Sequence, residues 1–289
     1  MSTFTIFLDE RLRLVTAVLA ASSWPVEEQA QLVHAVHPQA KQVRQFVATF
    51  ATHPAVNGVN EARQNGVDLA ALFSAALRCT WPNFVPKEPL PRVLKIKEWT
   101  ESLADFARKT AVVTEFWPQH TAVWDEALAH LEQIFASGDL LSSLGQLGGN
   151  GEDTAVSLMP NLVYPALQPV IATGENKLAL LLPPPKAVGE SPPWPFDEDP
   201  GWVVAAVAEQ LAPHLLPAEL ASLSSGQKLV ATHLAAAHGL AALLDEFEAQ
   251  AYLLRLKKEQ NLTQLPALFA QLQAEVEGGN GRPLATLLH

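Results

Sequence analysis

Residues 202–214 read Trp-Val-Val-Ala-Ala-Val-Ala-Glu-Gln-Leu-Ala-Pro-His, a run that suits a largely buried helix. At about 100° per residue, Glu209, Gln210 and His214 fall within an arc of about 140°, which leaves the rest of the circumference apolar. A helix of this kind must lie inside a packed body. The 289-residue chain, 48% hydrophobic, has enough apolar side chain to build such a body, as one large domain or two smaller ones.

Within that helix, Ala208-Glu209-Gln210-Leu211-Ala212 occupies the frame of His-Glu-x-x-His. In the full motif two imidazoles four positions apart, about 40° round the helix, bind one Zn²⁺ while the glutamate polarises its water. Here methyl groups stand at both ligand positions. A methyl donates no electron pair, so a site stripped of its imidazoles forfeits most of a binding free energy that is roughly 10–16 kcal/mol for structural zinc. Glu209 alone does not make a hydrolase. An Ala-rich chain also meets Ala-Glu-x-x-Ala by chance, so the bland reading is the wet stripe of a core helix.

Charge and cysteine usage remove other classes. A net charge of −11 with nineteen Lys and Arg gives no basic stripe for a phosphate backbone, so nucleic acid is not an expected partner. The single Cys79 excludes an intramolecular disulfide and reads as a small core residue. Asp9 and Glu10 interrupt the start of the chain before a signal peptide could form, and no run of eighteen apolar residues occurs. The expectation is a cytoplasmic protein with no membrane partner.

Residues 1–137 are expected to be a helical region. Asp9 caps a helix through Leu12, Val15, Val18 and Leu19, and further helices are expected over 26–36, 40–50, 68–79, 96–111 and 120–135. Glycines at 138–152 suggest a linker. Residues 153–289 form the second region: a small sheet over 154–182 with a hairpin turn at Gly174-Glu175-Asn176, a helix over 201–215, then helices from Ser224 or Ser225, 246–259 and 262–277. The tail 282–289 is expected to be loosely held. The fold class is thus α+β, mostly α.

Several segments in order carry a resemblance: Phe4 to Leu12, Phe46 to Val56, Gly66-Val67-Asp68, Leu103 to Trp117, and Ala208 to Pro217. Together they resemble a bacterial family, a domain of unknown function, whose C-terminal half carries a His-Glu-x-x-His helix of zinc-metallopeptidase type. The resemblance implies a zincin-like C-terminal region, an edge strand that pairs with an extended peptide, and zinc as cofactor. It puts Glu209 at the general-base position, Ala208 and Ala212 at two ligand positions, and Gln227 where a third ligand, commonly glutamate, would stand. The departures imply a scaffold whose metal site is erased, with no cofactor.

Histidines elsewhere in the chain are the candidates to replace the missing ligands. His214 and His233 are candidates for a cleft beside Glu209, whereas His233 and His238, five apart and about 140° round a helix, cannot chelate one ion as an i, i+4 pair would. His34 and His37 have an i, i+3 relation but no evident third ligand. The expected function is a catalytically inactive metallopeptidase-like protein that binds a peptide or protein. Two alternatives stand beside it: an active hydrolase built around Glu209 and His214, and an all-helical interaction module without peptidase ancestry.

Overall fold

Asp9 sits in extended backbone and its side chain accepts a hydrogen bond from the Arg11 amide, which starts helix α1 (Glu10–Ala21) where the sequence predicts it. In the computed structural model, residues 3–31, 35–92, 96–148, 154–163, 168–186, 193, 195–279 and 283–288 are described. Every residue from Leu12 to Ala21 is buried, including Arg13 and Thr16. A helix apolar on all faces must be surrounded, and α1 is packed by α2 (Trp24–Gln31), α3 (Pro38–Val47), α4 (Pro54–Gln64), α5 (Leu69–Leu77) and α6 (Ile96–Thr110).

The sequence reading contains no helix over 54–64. His53 caps α4 by accepting from the Ala55 amide, with Pro54 in the first turn. Asn57, Gly58 and Asn60 lower its propensity, but Val56 and Val59 are fully buried, and burial overrides propensity. α2 starts at Trp24, two residues before the expected start at 26, with Pro25 in its first turn.

These helices share a compact unit, residues 5–129 and 155–195, with three strands and the end of the fourth of a sheet of order β1-β2-β4-β3. Its strands are β1 (Thr3–Ile6), β2 (Ala155–Pro160), β3 (Val170–Gly174) and β4 (Lys177–Leu182). β2 pairs with β4 in parallel, Ala155 opposite Lys177, and β3 pairs with β4 as an antiparallel hairpin, Ala172 opposite Ala179. Asn176 takes the positive φ (54°) that the tight turn requires. The fold is therefore α+β and mostly α, and the sheet corrects the interaction-module alternative in its all-helical character only.

Two expectations about the sheet differ from the structure. β2–β4 group with the N-terminal helices and not with the helix over 201–215. The β3 edge does not present a free ladder at Thr173: its amide donates to Ser74 Oγ (2.8 Å) and its carbonyl accepts from Arg78 Nε (3.0 Å). Both partners lie on or at the end of α5, which packs on β3 and takes up these two backbone groups.

The second unit comprises residues 1–4, 130–154 and 196–289. It follows the short α7 (Trp117–Gln119) and includes the last turns of α8 (Thr121–Phe135), then α9 (Leu140–Gly145), α10 (Pro200–Leu215), α11 (Pro217–Leu220), α12 (Ser225–Leu243), α13 (Glu246–Glu259), α14 (Leu265–Glu277) and α15 (Pro283–Leu288). α12 is its axis, packed by α9, α10, α13 and α14.

Part of the segment read as a linker is helix: Asp139 caps α9, and Leu140, Leu144 and Leu147 are buried. Their i, i+4, i+7 spacing makes an apolar stripe that outweighs the neighbouring glycines; 149–152 lies outside the described residues. The tail is also held. Leu284 is fully buried, and the Ala285 amide donates to the buried carboxylate of Glu219 at 3.1 Å.

Candidate functional site

Asp199 caps α10 by accepting from the Trp202 amide at 2.9 Å, and Pro200 takes the first turn, where its missing N–H costs nothing. Val203 to Ala208, Leu211, Ala212 and Leu215 are buried. The facing helix α12 offers Ala235, Ala236, Ala237 and Gly239. At Gly239 a methyl would lie 3.6 Å from Ala208 Cβ and 2.8 Å from Leu140 Cδ1. A side chain there would require Leu140 to move and would touch Ala208.

Ala208 and Ala212 are methyl groups in the interior, each at 0% exposure, and Ala208 lies at the contact with α12. An imidazole at Ala208 would overpack the contact, and the alanines themselves have no lone pair to offer. These residues do not fit a zinc ion in the manner of the His-Glu-x-x-His motif. Among the described residues no group of three or more His, Cys, Asp or Glu side chains stands where it could hold a metal ion.

Glu209 is the one motif residue with a polar assignment. Tyr252 of α13 donates its O–H to Glu209 Oε1 at 2.6 Å, and His233 Nδ1 of α12 lies 2.6 Å from the same phenol oxygen. With the phenol O–H donated to Glu209, His233 must donate from Nδ1, which fixes the neutral imidazole in that tautomer. His233 Nδ1 is 3.6 Å from Glu209 Oε1, too long for a hydrogen bond but close enough for attraction when the ring is charged. The relay His233 to Tyr252 to Glu209 links three helices. His233 Nε2 is buried and has no partner among the described residues.

The electrostatics follow from that geometry. Burial pushes the Glu209 carboxyl up, but contacts from His233 and Tyr252 and the attraction of His233 and Arg255 outweigh it, so the group is held below the usual range. A buried carboxyl without a partner would tend to be neutral, and this one is partnered. Burial, then the Glu209 charge, pushes the Tyr252 phenol far up, so it serves as a donor and not as a phenolate. A neutral buried phenol, a sequestered imidazole and an ionised carboxylate can fix helices together. They contain no activated nucleophile.

The remaining candidates do not join this cluster. His214 is exposed near the end of α10, makes no hydrogen bond with Glu209, and has its pKa lowered by burial of the ring among neighbours. Gln227 completes a capping box with Ser224, and its amide donates to the Leu288 carbonyl. His238 pairs with Gln146 at 3.2 Å. His37 caps α3 through the Gln39 amide, and His34 lies outside the described residues. Cys79 is fully buried, with its thiol pushed up to about 11 by burial.

Tyr252 is absent from the sequence reading. A signal for it exists: Ala249, Tyr252, Leu253 and Leu256 form the buried stripe of α13, and a tyrosine in a core stripe needs an acceptor for its hydroxyl. No family model, curated protein or solved structure matches the chain.

Proposed function

We propose that this chain is a non-catalytic protein on a metallopeptidase-like scaffold, and that it acts by binding a peptide or protein. The observation that carries the reading is the complete burial of Ala208 and Ala212 on either side of a Glu209 that is committed to Tyr252. A general base must reach a reacting water, and a carboxylate whose oxygen already accepts a 2.6 Å bond from a neutral phenol is a weak base for that task. The donor set lacks imidazoles at both motif positions, and Gln227 supports a helix cap instead of a ligand shell.

Zinc titration of the purified full chain is the direct test of the inactive half. The expected result is no stoichiometric site of micromolar affinity, and a one-to-one site abolished by Glu209→Gln or His233→Ala would overturn it. The binding half is tested by selecting displayed random peptides on the immobilised chain. An enriched motif that binds in solution is expected; the absence of any enrichment defeats the binding reading. The hydrolase alternative draws on the nearness of Glu209 to His233, and it requires that His214→Ala abolish a measurable peptidase or esterase activity.

A further inference from the structure

Helix α13 is apolar on two opposite faces. At about 100° per residue, Ala249, Tyr252, Leu253 and Leu256 span an arc of about 100° and are buried. Phe247, Ala251 and Leu254 span an arc of about 60° on the other side, where Phe247 is 76% and Leu254 55% exposed. Ala251, between them, is exposed as well. A helix with one buried stripe ordinarily keeps the opposite face polar. Single apolar residues on a surface are ordinary, whereas an aligned stripe flanked by charge marks an interaction surface.

The flanking charges identify what covers it. Glu246 and Glu248 stand in the first turn of α13, and Arg255 and Lys257 near its end. In projection from Phe247, Glu248 and Arg255 lie on one flank of the stripe, at about 100° and 80°, and Glu246 and Lys257 on the other, at about −100° and −80°. Each flank therefore reads acid and then base along the helix. A parallel copy would set acid on acid and base on base. An antiparallel copy related by a two-fold axis sets each flank against itself run backwards, so Glu246 meets Lys257 and Glu248 meets Arg255, each pair formed twice. Both pairs are centred between Ala251 and Tyr252. With that centre Phe247 lies near Leu254 of the other copy, and the small Ala251 lets the two axes approach.

We infer that the outer face of α13 is a self-association surface, on which a second copy of this chain docks antiparallel about a two-fold axis beside Ala251. This surface lies in the unit of residues 1–4, 130–154 and 196–289 and does not rest on the metallopeptidase-like reading. One pair of helices about 21 Å long buries less than a permanent dimer does, so the contact is weak and reversible.

The test is analytical ultracentrifugation of the full chain between about 1 and 500 μM. The expected result is a monomer–dimer equilibrium with a Kd of roughly 10–100 μM, shifted toward monomer by about 0.5 M sodium chloride. Phe247→Glu is expected to abolish the dimer and to leave the thermal midpoint of the dilute monomer unchanged, because the ring is in water there. Glu246→Lys alone and Lys257→Glu alone should each weaken association about tenfold, since each creates two like-charged pairs in the symmetric dimer. Mixed in equal amounts, the two variants should recover the wild-type affinity, because both cross pairs are then opposite in sign. Arg255 is left in place, since it also lies over the Tyr252 ring, 5.7 Å from the centroid.

A chain that is monomeric at about 500 μM, a dimer that persists in Phe247→Glu, or a mixture no tighter than its two components would each overturn the assignment. Glu246→Lys also removes an acceptor from Gln273 Nε2 (2.8 Å). If that variant does not fold, Phe247→Glu and Lys257→Glu decide, and an unchanged Kd in either overturns it.

Discussion

At the scale of single residues, Tyr252 carries the most consequence for the candidate site. Replacing it with phenylalanine leaves Glu209 Oε1 and His233 Nδ1 without their common partner while keeping the ring. The expected loss is about 1–3 kcal/mol in urea unfolding at pH 7. Glu209 has a pH signature of its own. Its native pKa lies below the ordinary value, so its contribution is present above the unfolded pKa and lost as pH falls through the native one. Acid titration should therefore cost the wild type more stability than Glu209→Gln below about pH 4.5. Cys79 is a third case: a thiol that is fully buried and donates to the Ala75 carbonyl should react with a thiol reagent only as fast as the chain opens. Rapid modification of the native protein at pH 8 would contradict its placement.

At the scale of elements, much was legible, and the reasons are local. Asp9, Asp68 and Ser224 cap helices because a short side chain can reach an orphan amide in the first turn. Ser224→Ala should cost about 1 kcal/mol, since it removes the hydroxyl from a capping box; denaturation of the variant measures this. The hairpin turn at residues 174–176 was legible for the same reason, through the positive φ of Asn176. The helix over 54–64 was not, because its weak propensity is overcome by Val56 and Val59 meeting α1 and α6, contacts far away in the sequence. At the α10–α12 contact, Ala208→His should lower stability by about 1–3 kcal/mol or more through overpacking, without creating a zinc site.

At the scale of the molecule, the two compact units interleave along the chain, so no single cut between 138 and 152 separates them. In the unit built on α12, the tail has a structural task. Truncation before Pro283 should remove the burial of Leu284, worth about 1.5–3 kcal/mol, and deprive the Glu219 carboxylate of the Ala285 amide. A truncated chain as stable as the full one would refute that role. Among the described residues no helix is long and apolar enough to cross a membrane.

The amino-acid sequence by itself determined that helices begin at Asp9, Asp68 and Ser224, which stretch is the buried helix, and that Ala208 and Ala212 cannot donate to a metal, because capping, periodicity and donor chemistry belong to neighbouring residues. Only the tertiary structure decided that Glu209 meets Tyr252 and His233 and that α5 packs on β3. Those are encounters between residues tens of positions apart. Burial sets their energies, and burial is a property of the packed chain.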